Sequence, residues 1–395
     1  MDLSAWPALL MGGIVVLCLL SKAFLEAADL PDLLGYLLIG IGLRAADATW
    51  GLLPAPAPRL LTVLAEVGVV ALLFRIGLSR NVQNLLRRLP WATIIWLANA
   101  LASLALGFGA AHYGLGWALL PSLFVAVALM ATGIGVSVRV WRSVYRLDSA
   151  RGALMLDVAE LDDLSGVVLL ALLTALVPPW QGQGTLPSAW TLAGTVAEVG
   201  AKLLLLTAGG VLFAQYVEGP LTRWLHDAQP RPDLMITVLG IGLLVAGLAA
   251  LLGLSAALGG FFAGLLFSRD PRAVKVGASF DSLYDLFVPF FFVYVGFSLD
   301  PTSLVGRGPA VGLLLAAAVV GKGLGSFLPA LGPLAPTEAA VFAVSLIPRS
   351  EITLLVLQRG LDLGVVPPAV FGPVVAVAAA TMVGVPLALR LLLRP

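Results

Sequence analysis

Thirteen apolar runs, most of them long enough to cross a membrane, follow one another along this chain with only short breaks of Gly, Pro and charge between them. They cover approximately 6–28, 32–46, 59–79, 91–113, 117–141, 150–177 and 189–217, then 233–251, 255–268, 279–298, 309–330, 336–360 and 367–393. An unbroken helical span needs about 20 apolar residues, so 32–46 and 255–268 are short and imply little tilt or shelter by protein. Soluble packing does not suit such a pattern. The 395 residues are 60% hydrophobic and 11% charged, against about a quarter charged in ordinary soluble chains, too little to cover a surface in water. Lipid is much of the solvent, and the expected fold class is an all-α polytopic membrane protein with about 13 transmembrane helices.

The basic residues test that count independently, because cytoplasmic loops collect Lys and Arg. With the N-terminus outside, the inner segments hold Lys22, Arg80, Arg87, Arg88, Arg139, Arg142, Arg146, Arg151, Arg223, Arg231, Arg269, Arg272, Lys275, Arg390 and Arg394. The outer loops hold Arg44, Arg59, Arg307 and Arg359. Fifteen against four supports an odd number of spans and a cytoplasmic C-terminus, since a miscounted span would scramble the alternation. The run 6–28 lacks a basic leader and a small-residue cleavage pattern, so it reads as a retained helix.

Other features exclude chemistry. A net charge of +1 offers nothing to nucleic acid. The lone Cys18 rules out an internal disulfide, and His112 and His226 lie far apart, without ligand spacing for a structural metal. No phosphate-cradling Gly pattern opens a helix after a strand. The expectation is a transporter rather than an enzyme, needing no cofactor beyond the ions it carries.

The order of runs suggests an internal repeat. Taking 189–217 as a linker helix leaves six runs on each side, and six runs followed by an odd linker make the halves enter the membrane from opposite faces. The expected organisation is one transporter unit over 1–395, with inverted six-helix repeats at 1–178 and 233–393. In each half the fifth run is interrupted, first at Ala131-Thr132-Gly133-Ile134-Gly135-Val136-Ser137 and then at Ile347-Pro348-Arg349-Ser350-Glu351. Ordinary kinks would explain either alone; the matched pair points to a midplane ion or substrate site.

Charge inside a span is costly and usually functional, and here it is concentrated. Run 150–177 carries Asp157, Glu160, Asp162 and Asp163; run 309–330 carries Lys322; run 336–360 carries Arg349 and Glu351. Asp162 and Asp163 point about 100° apart on a helix, so both can face one cavity. Burial and a like-charged neighbour raise a carboxylate's proton affinity, and such a site holds either protons or a small cation. That competition is the chemistry of an antiporter, because the empty, doubly charged site is too costly to carry across. A structural ion pair is the bland reading. Lys322, in Gly321-Lys322-Gly323, needs a partner from another helix. Asp162 is the expected one, either as a pair that titrates or as a fixed bridge. Arg349 stays charged and is expected to pair with a carboxylate or with freed carbonyls. Thr132, Ser137 and Ser350 offer oxygens to an ion or serve only the broken backbone. Asp157 and Glu160 share a face with Asp163, lining an aqueous funnel or marking a solvated helix start.

At these residues the sequence resembles the second branch of the monovalent cation:proton antiporters, particularly bacterial sodium/proton exchangers of the NapA kind. The resemblance is carried by residues 66–78, by Ala131-Thr132-Gly133, by Leu161-Asp162-Asp163, by Gly321-Lys322 and by Pro348-Arg349-Ser350-Glu351. It implies a sodium/proton antiporter fold with two crossed broken helices in a core domain, a separate dimerisation domain that includes the first helix, a homodimer, and elevator-like movement. It implies Asp163 as the principal carboxylate for cation and proton, Asp162 paired with Lys322, and Thr132 beside them at the first crossing. It further implies electrogenic exchange of sodium or lithium for protons, in a bacterial inner membrane, serving pH homeostasis. Arg75, Ser79, Asp157 and Glu160 depart from the pattern of the branch, and no nucleotide-binding regulator is expected after the last helix. Two alternatives remain open: potassium/proton exchange on the same scaffold, and sodium-coupled uptake of an organic solute by a bile-acid-type carrier.

Overall fold

A computed structural model describes residues 5–28, 30–54, 57–78, 89–133, 135, 137–138, 141, 149–183, 188–212, 216, 234–267, 273–349 and 351–392. Fourteen α-helices make up nearly all of it: α1 (Trp6–Ala27), α2 (Asp32–Trp50), α3 (Ala57–Leu78), α4 (Leu89–Gly109), α5 (Leu119–Met130), α6 (Ala150–Gln183) and α7 (Ala189–Leu212). The remainder are α8 (Leu234–Leu251), α9 (Ala256–Phe267), α10 (Ala273–Ser298), α11 (Gly308–Ala330), α12 (Pro336–Ser345), α13 (Glu351–Asp362) and α14 (Pro368–Leu392). No strand occurs among the described residues. Lipid supplies no hydrogen bonds, so a chain with runs of this length closes its backbone bonds within each segment.

Among the described residues seven helices are long and apolar enough to cross a membrane: α1, α3, α4 with the π turn that ends it, α6, α7, α11 and α14. Fewer helices meet that test than the sequence has runs, in part because α5, α12 and α13 are pieces of interrupted runs and α9 has 12 residues. Helix α10 begins at Ala273, six residues before the expected apolar run, and α6 continues to Gln183. Charge and Gly mark where lipid ends, which need not be where the helix ends. The π turn Ala110–Gly114 after α4 places a ring nitrogen of His112 2.8 Å from the Trp117 carbonyl oxygen, which gives this histidine a local structural partner.

The chain divides into two units, each assembled from separate stretches of sequence. The first unit takes Met1–Ala8, Ala55–Val82 and Thr174–Phe292, and so contains α3, α7, α8, α9 and most of α10. Its helices are held by bare backbone contact. A Cβ on Gly77 would stand 2.2 Å from the Phe261 carbonyl oxygen, and one on Gly264 would stand 2.0 Å from that of Phe74. Inside a membrane the hydrophobic effect does not drive helix pairing, so close van der Waals approach through small residues takes its place.

The second unit takes Leu9–Pro54, Gln83–Leu173 and Val293–Pro395. It uses the same device where α2 meets the end of α10: a Cβ on Gly40 would lie 2.1 Å from the Val293 carbonyl oxygen, and one on Gly296 would lie 2.2 Å from that of Leu37. Helices α4 and α11 also meet through glycine but less closely: a Cβ on Gly321 would lie 3.1 Å from the Ser103 Cα, and one on Gly325 would lie 2.9 Å from the Asn99 Cα. A core of Ile95, Trp141, Met155, Phe342, Leu346 and Leu389, with smaller neighbours, packs α4, α6, α12 and α14 around the ends of the interrupted runs.

Candidate functional site

Asp157, Glu160, Asp162, Asp163, Lys322, Arg349 and Glu351, the charges that the sequence singles out, all fall in the second unit. Helix α5 stops at Met130 and α12 at Ser345. Each break frees backbone groups that lipid cannot satisfy, so irregular backbone at this depth must be served by protein. The two breaks serve one another. The Gly133 amide donates to the Pro348 carbonyl at 2.7 Å. Thr353 Oγ1 donates to the Ala128 carbonyl at 2.8 Å, and Ser137 Oγ to that of Ser345 at 2.6 Å. Trp141 Nε1 donates to Ser345 Oγ at 2.7 Å, which in turn donates to the Val341 carbonyl at 2.7 Å.

Arg349 completes this set. It is fully buried, its amide donates to Thr381 Oγ1 at 3.1 Å, and its guanidinium donates to the carbonyls of Ala318 at 3.0 Å and Ala131 at 3.4 Å. Of the two partners the sequence left open, the guanidinium donates to carbonyls. Ala131 caps α5, so the guanidinium sits at the negative end of that helix's dipole.

Asp162 is the focus of the site. It is fully buried on α6, as is Lys322 on α11, and Lys322 Nζ donates to Asp162 Oδ2 at 2.5 Å. The same oxygen accepts from Thr132 Oγ1 at 2.6 Å and from Asn99 Nδ2 at 2.9 Å. The other oxygen, Oδ1, is buried and has no hydrogen-bond partner among the described residues. Asp163, the next residue, is 7% exposed. A buried ion pair of this kind is sustained only where further hydrogen bonds complete it, and here Thr132 and Asn99 supply them.

The expected residues are therefore largely brought together. Asp162, Thr132 and Lys322 are in direct contact, with Asp163 adjoining, and Arg349 lies at the break beside them. Ser137 serves backbone rather than the carboxylates. Asp157 and Glu160 are partly buried on α6, and Glu351 opens α13. Ser350 lies outside the described residues. Among the described residues no group of three or more His, Cys, Asp or Glu is placed to hold a metal ion. Asn99, Trp141, Ser345, Thr353 and Thr381 were missed in the sequence. Asn99 is one uncharged amide in Trp96-Leu97-Ala98-Asn99-Ala100-Leu101, and a polar residue in so apolar a helix was the available signal.

The fold matches the sodium proton antiporter MjNhaP1 of Methanocaldococcus jannaschii with a TM-score of 0.74 at 15% identity, covering 98% of this chain and all of that one. The high-affinity Na(+)/H(+) antiporter NhaS3 of Synechocystis is 29% identical over 383 residues, 94% of this chain and 80% of that protein. The Na(+)/H(+)-K(+) antiporter GerN of Bacillus cereus is 25% identical over 362 residues, 89% of this chain and 87% of its own length. A sequence model of the family described as "Sodium/hydrogen exchanger, transmembrane" matches residues 13–394, and the chain belongs to that family.

Proposed function

We propose that this chain exchanges sodium or lithium for protons electrogenically, with Asp163 as the principal carboxylate and Asp162 as the partner of Lys322. Sodium/proton antiport is the activity of the family to which the chain belongs, and two of its relatives are named for it. The observation that carries the site assignment is the fully buried Lys322–Asp162 pair at 2.5 Å, with Thr132 on the same oxygen and Asp163 adjoining. When a cation binds, the acidic doublet no longer needs the ammonium to balance it, and Lys322 is free to give up a proton, as a buried lysine readily does. When the cation leaves, protons return to Lys322 and Asp163. The unloaded doublet is too costly to move through lipid, so only loaded forms cross, and more protons than cations move per cycle.

The same reading takes the two breaks as the matched interruptions of inverted repeats at 1–178 and 233–393, joined by 189–217. Paired glycine contacts support it: α2 meets α10 at Gly40 and Gly296, and α9 meets α3 at Gly264 and Gly77, which are counterparts under an inverted six-run repeat. Elevator movement of the site, a homodimer, a bacterial inner membrane and an outside N-terminus belong to this proposal. The relative GerN, named for potassium as well as sodium, favours one second reading, potassium/proton exchange on the same scaffold.

Proteoliposomes holding a pH-sensitive dye test the choice. Sodium or lithium jumps are expected to move protons and to respond to an imposed membrane potential, whereas potassium jumps are not. Proton movement of equal size with potassium would favour the second reading. Electroneutral exchange would remove Lys322 from the proton count.

A further inference from the structure

We infer that Asn99 is a specificity-determining positioning residue: by holding Oδ2 of Asp162 it turns Oδ1 toward the transported cation and fixes where that oxygen stands. The inference rests on the antiport reading above and deepens it.

The argument begins with how unevenly the carboxylate is used. A carboxylate offers about four acceptor sites on two oxygens, yet Asn99, Thr132 and Lys322 all donate to Oδ2. Oδ1, equally buried, accepts from none of the described residues. Three donors on one oxygen set the plane of the group and leave the other oxygen as its ligand face.

The three donors are not equivalent as anchors. Lys322 is the charged partner, and its attraction changes whenever the charge of the doublet changes. Thr132 lies in the break that follows α5, where regular backbone has ended. Asn99 differs from both. It carries no charge, does not titrate, and stands inside the continuous helix α4. Its backbone is also wedged in place: a Cβ on Gly325 of α11 would lie 2.9 Å from the Asn99 Cα. Asn99 is therefore the donor whose position is least affected by the loading of the site. Its Oδ1 faces Ser103 Oγ at 3.5 Å, on the same helix.

Discrimination among small hard cations depends on cavity size, ligand number and the rigidity with which oxygens are held. A carboxylate free to rotate presents one oxygen or two and adapts to ions of different radius. A carboxylate pinned through Oδ2 presents Oδ1 at one place. Loss of the Asn99 amide therefore acts on cation affinity and on selectivity more than on turnover.

The test uses the full-length protein, with sodium, lithium and potassium measured in turn. Exchange in dye-loaded proteoliposomes gives KM and maximal rate, and calorimetric titration in detergent gives binding without transport. Asn99→Leu is expected to raise the sodium KM and Kd roughly tenfold, the usual scale for a hydrogen bond to a charged group. Its maximal rate is expected to stay within about threefold, and its preferences among the three ions to flatten. Asn99→Ser, which keeps a short donor, is expected to recover part of the affinity. Gly325→Ala keeps the amide but pushes α4 and α11 apart, and is expected to raise KM in the same sense. Ser326→Ala, which removes a buried hydroxyl one turn from Lys322, is expected to match wild type.

Wild-type KM and selectivity in Asn99→Leu, or a fall in rate with KM unchanged, overturns the inference and leaves the antiport reading standing. A wild-type protein that binds none of the three ions overturns both. If Asn99→Leu does not fold, Asn99→Ser and Gly325→Ala decide: raised KM in both supports the inference, and wild-type KM in both overturns it.

Discussion

The two units of this chain are built by the same packing rule and differ in where they keep their charge. In the first unit α3 and α9 touch backbone to backbone at Gly77 and Gly264, and ion pairs lie on partly exposed side chains: Arg75 with Asp281 at 3.1 Å and Lys202 with Glu198 at 2.6 Å. In the second unit α4 and α11 also meet at Gly321 and Gly325, and beside that contact Asp162, Lys322 and Arg349 are fully buried. Close glycine packing thus serves two purposes. In one unit it makes rigid apolar structure, and in the other it also brings buried polar groups within hydrogen-bond reach of each other. Only the second use leaves ionisable groups where gaining or losing an ion changes the energy of the whole assembly.

The largest expected effect removes the ion from that assembly. Asp163→Asn is expected to abolish sodium-driven proton movement in proteoliposomes while the protein still purifies as folded material. Wild-type exchange in this variant would break the comparison at its centre. Next in size is Lys322→Ala. Removing one partner of a buried pair leaves an uncompensated charge and costs about 3–5 kcal/mol, so a lowered unfolding temperature in detergent is expected together with slower exchange or a changed charge stoichiometry. The double variant Asp162→Leu with Lys322→Met sharpens the point. Replacing both partners with apolar groups is often neutral for stability, so the unfolding temperature is expected to recover and exchange is not.

These predictions rest on residues of unequal legibility. Asp162, Asp163, Lys322 and Arg349 announce themselves in the sequence because ionisable groups are rare and costly inside a span. Thr132 and the two interruptions follow from Gly and Pro in matching runs. Asn99, Ser345, Thr353 and Thr381 do not stand out, since a single amide or hydroxyl costs far less in a helix, and only three-dimensional placement gives them their partners: the Asp162 carboxylate, the Trp141 indole N–H, the Ala128 carbonyl and the Arg349 amide. The helices were legible from apolar runs, but their ends were not, as the extra length of α6 and α10 shows. The division into two units drawn from interleaved stretches was not legible either, because contacts between distant helices leave no periodicity in the chain.

Packing alone should have a smaller and separable effect. Gly264→Val in the first unit places a side chain where the Phe74 carbonyl oxygen and the Leu78 amide nitrogen would lie 2.0 Å and 2.7 Å from its Cβ. Helices α3 and α9 must separate, and overpacking of this kind costs about 1–3 kcal/mol. A lowered unfolding temperature is expected, with the sodium KM of the surviving protein within about twofold of wild type. A large change in sodium affinity would show that the first unit shapes the ion site and would erase the distinction drawn between the two.

The smallest effect belongs to Arg75, and it tests the same contrast from the other side. Arg75 and Lys322 are both cations on apolar helices paired with an aspartate, but Arg75 is 42% exposed and its partner Asp281 is 53% exposed. Its guanidinium also lies 4.0 Å from the centre of the Tyr284 ring, a contact that attracts a cation to the ring face. Exposed pairs contribute about 0.2–1 kcal/mol because water screens them and two long side chains must be ordered. Arg75→Gln is therefore expected to lower the unfolding temperature slightly at low salt. The difference should shrink in about 1 M salt, where the screening length falls to about 3 Å, leaving the cation–ring part. With a salt whose cation is too large to enter the ion site, such as choline chloride, Lys322→Ala should show no such relief, because bulk ions then do not screen a fully buried pair. Equal salt sensitivity in the two variants would mean that water reaches Lys322, and burial would no longer separate the two kinds of charge.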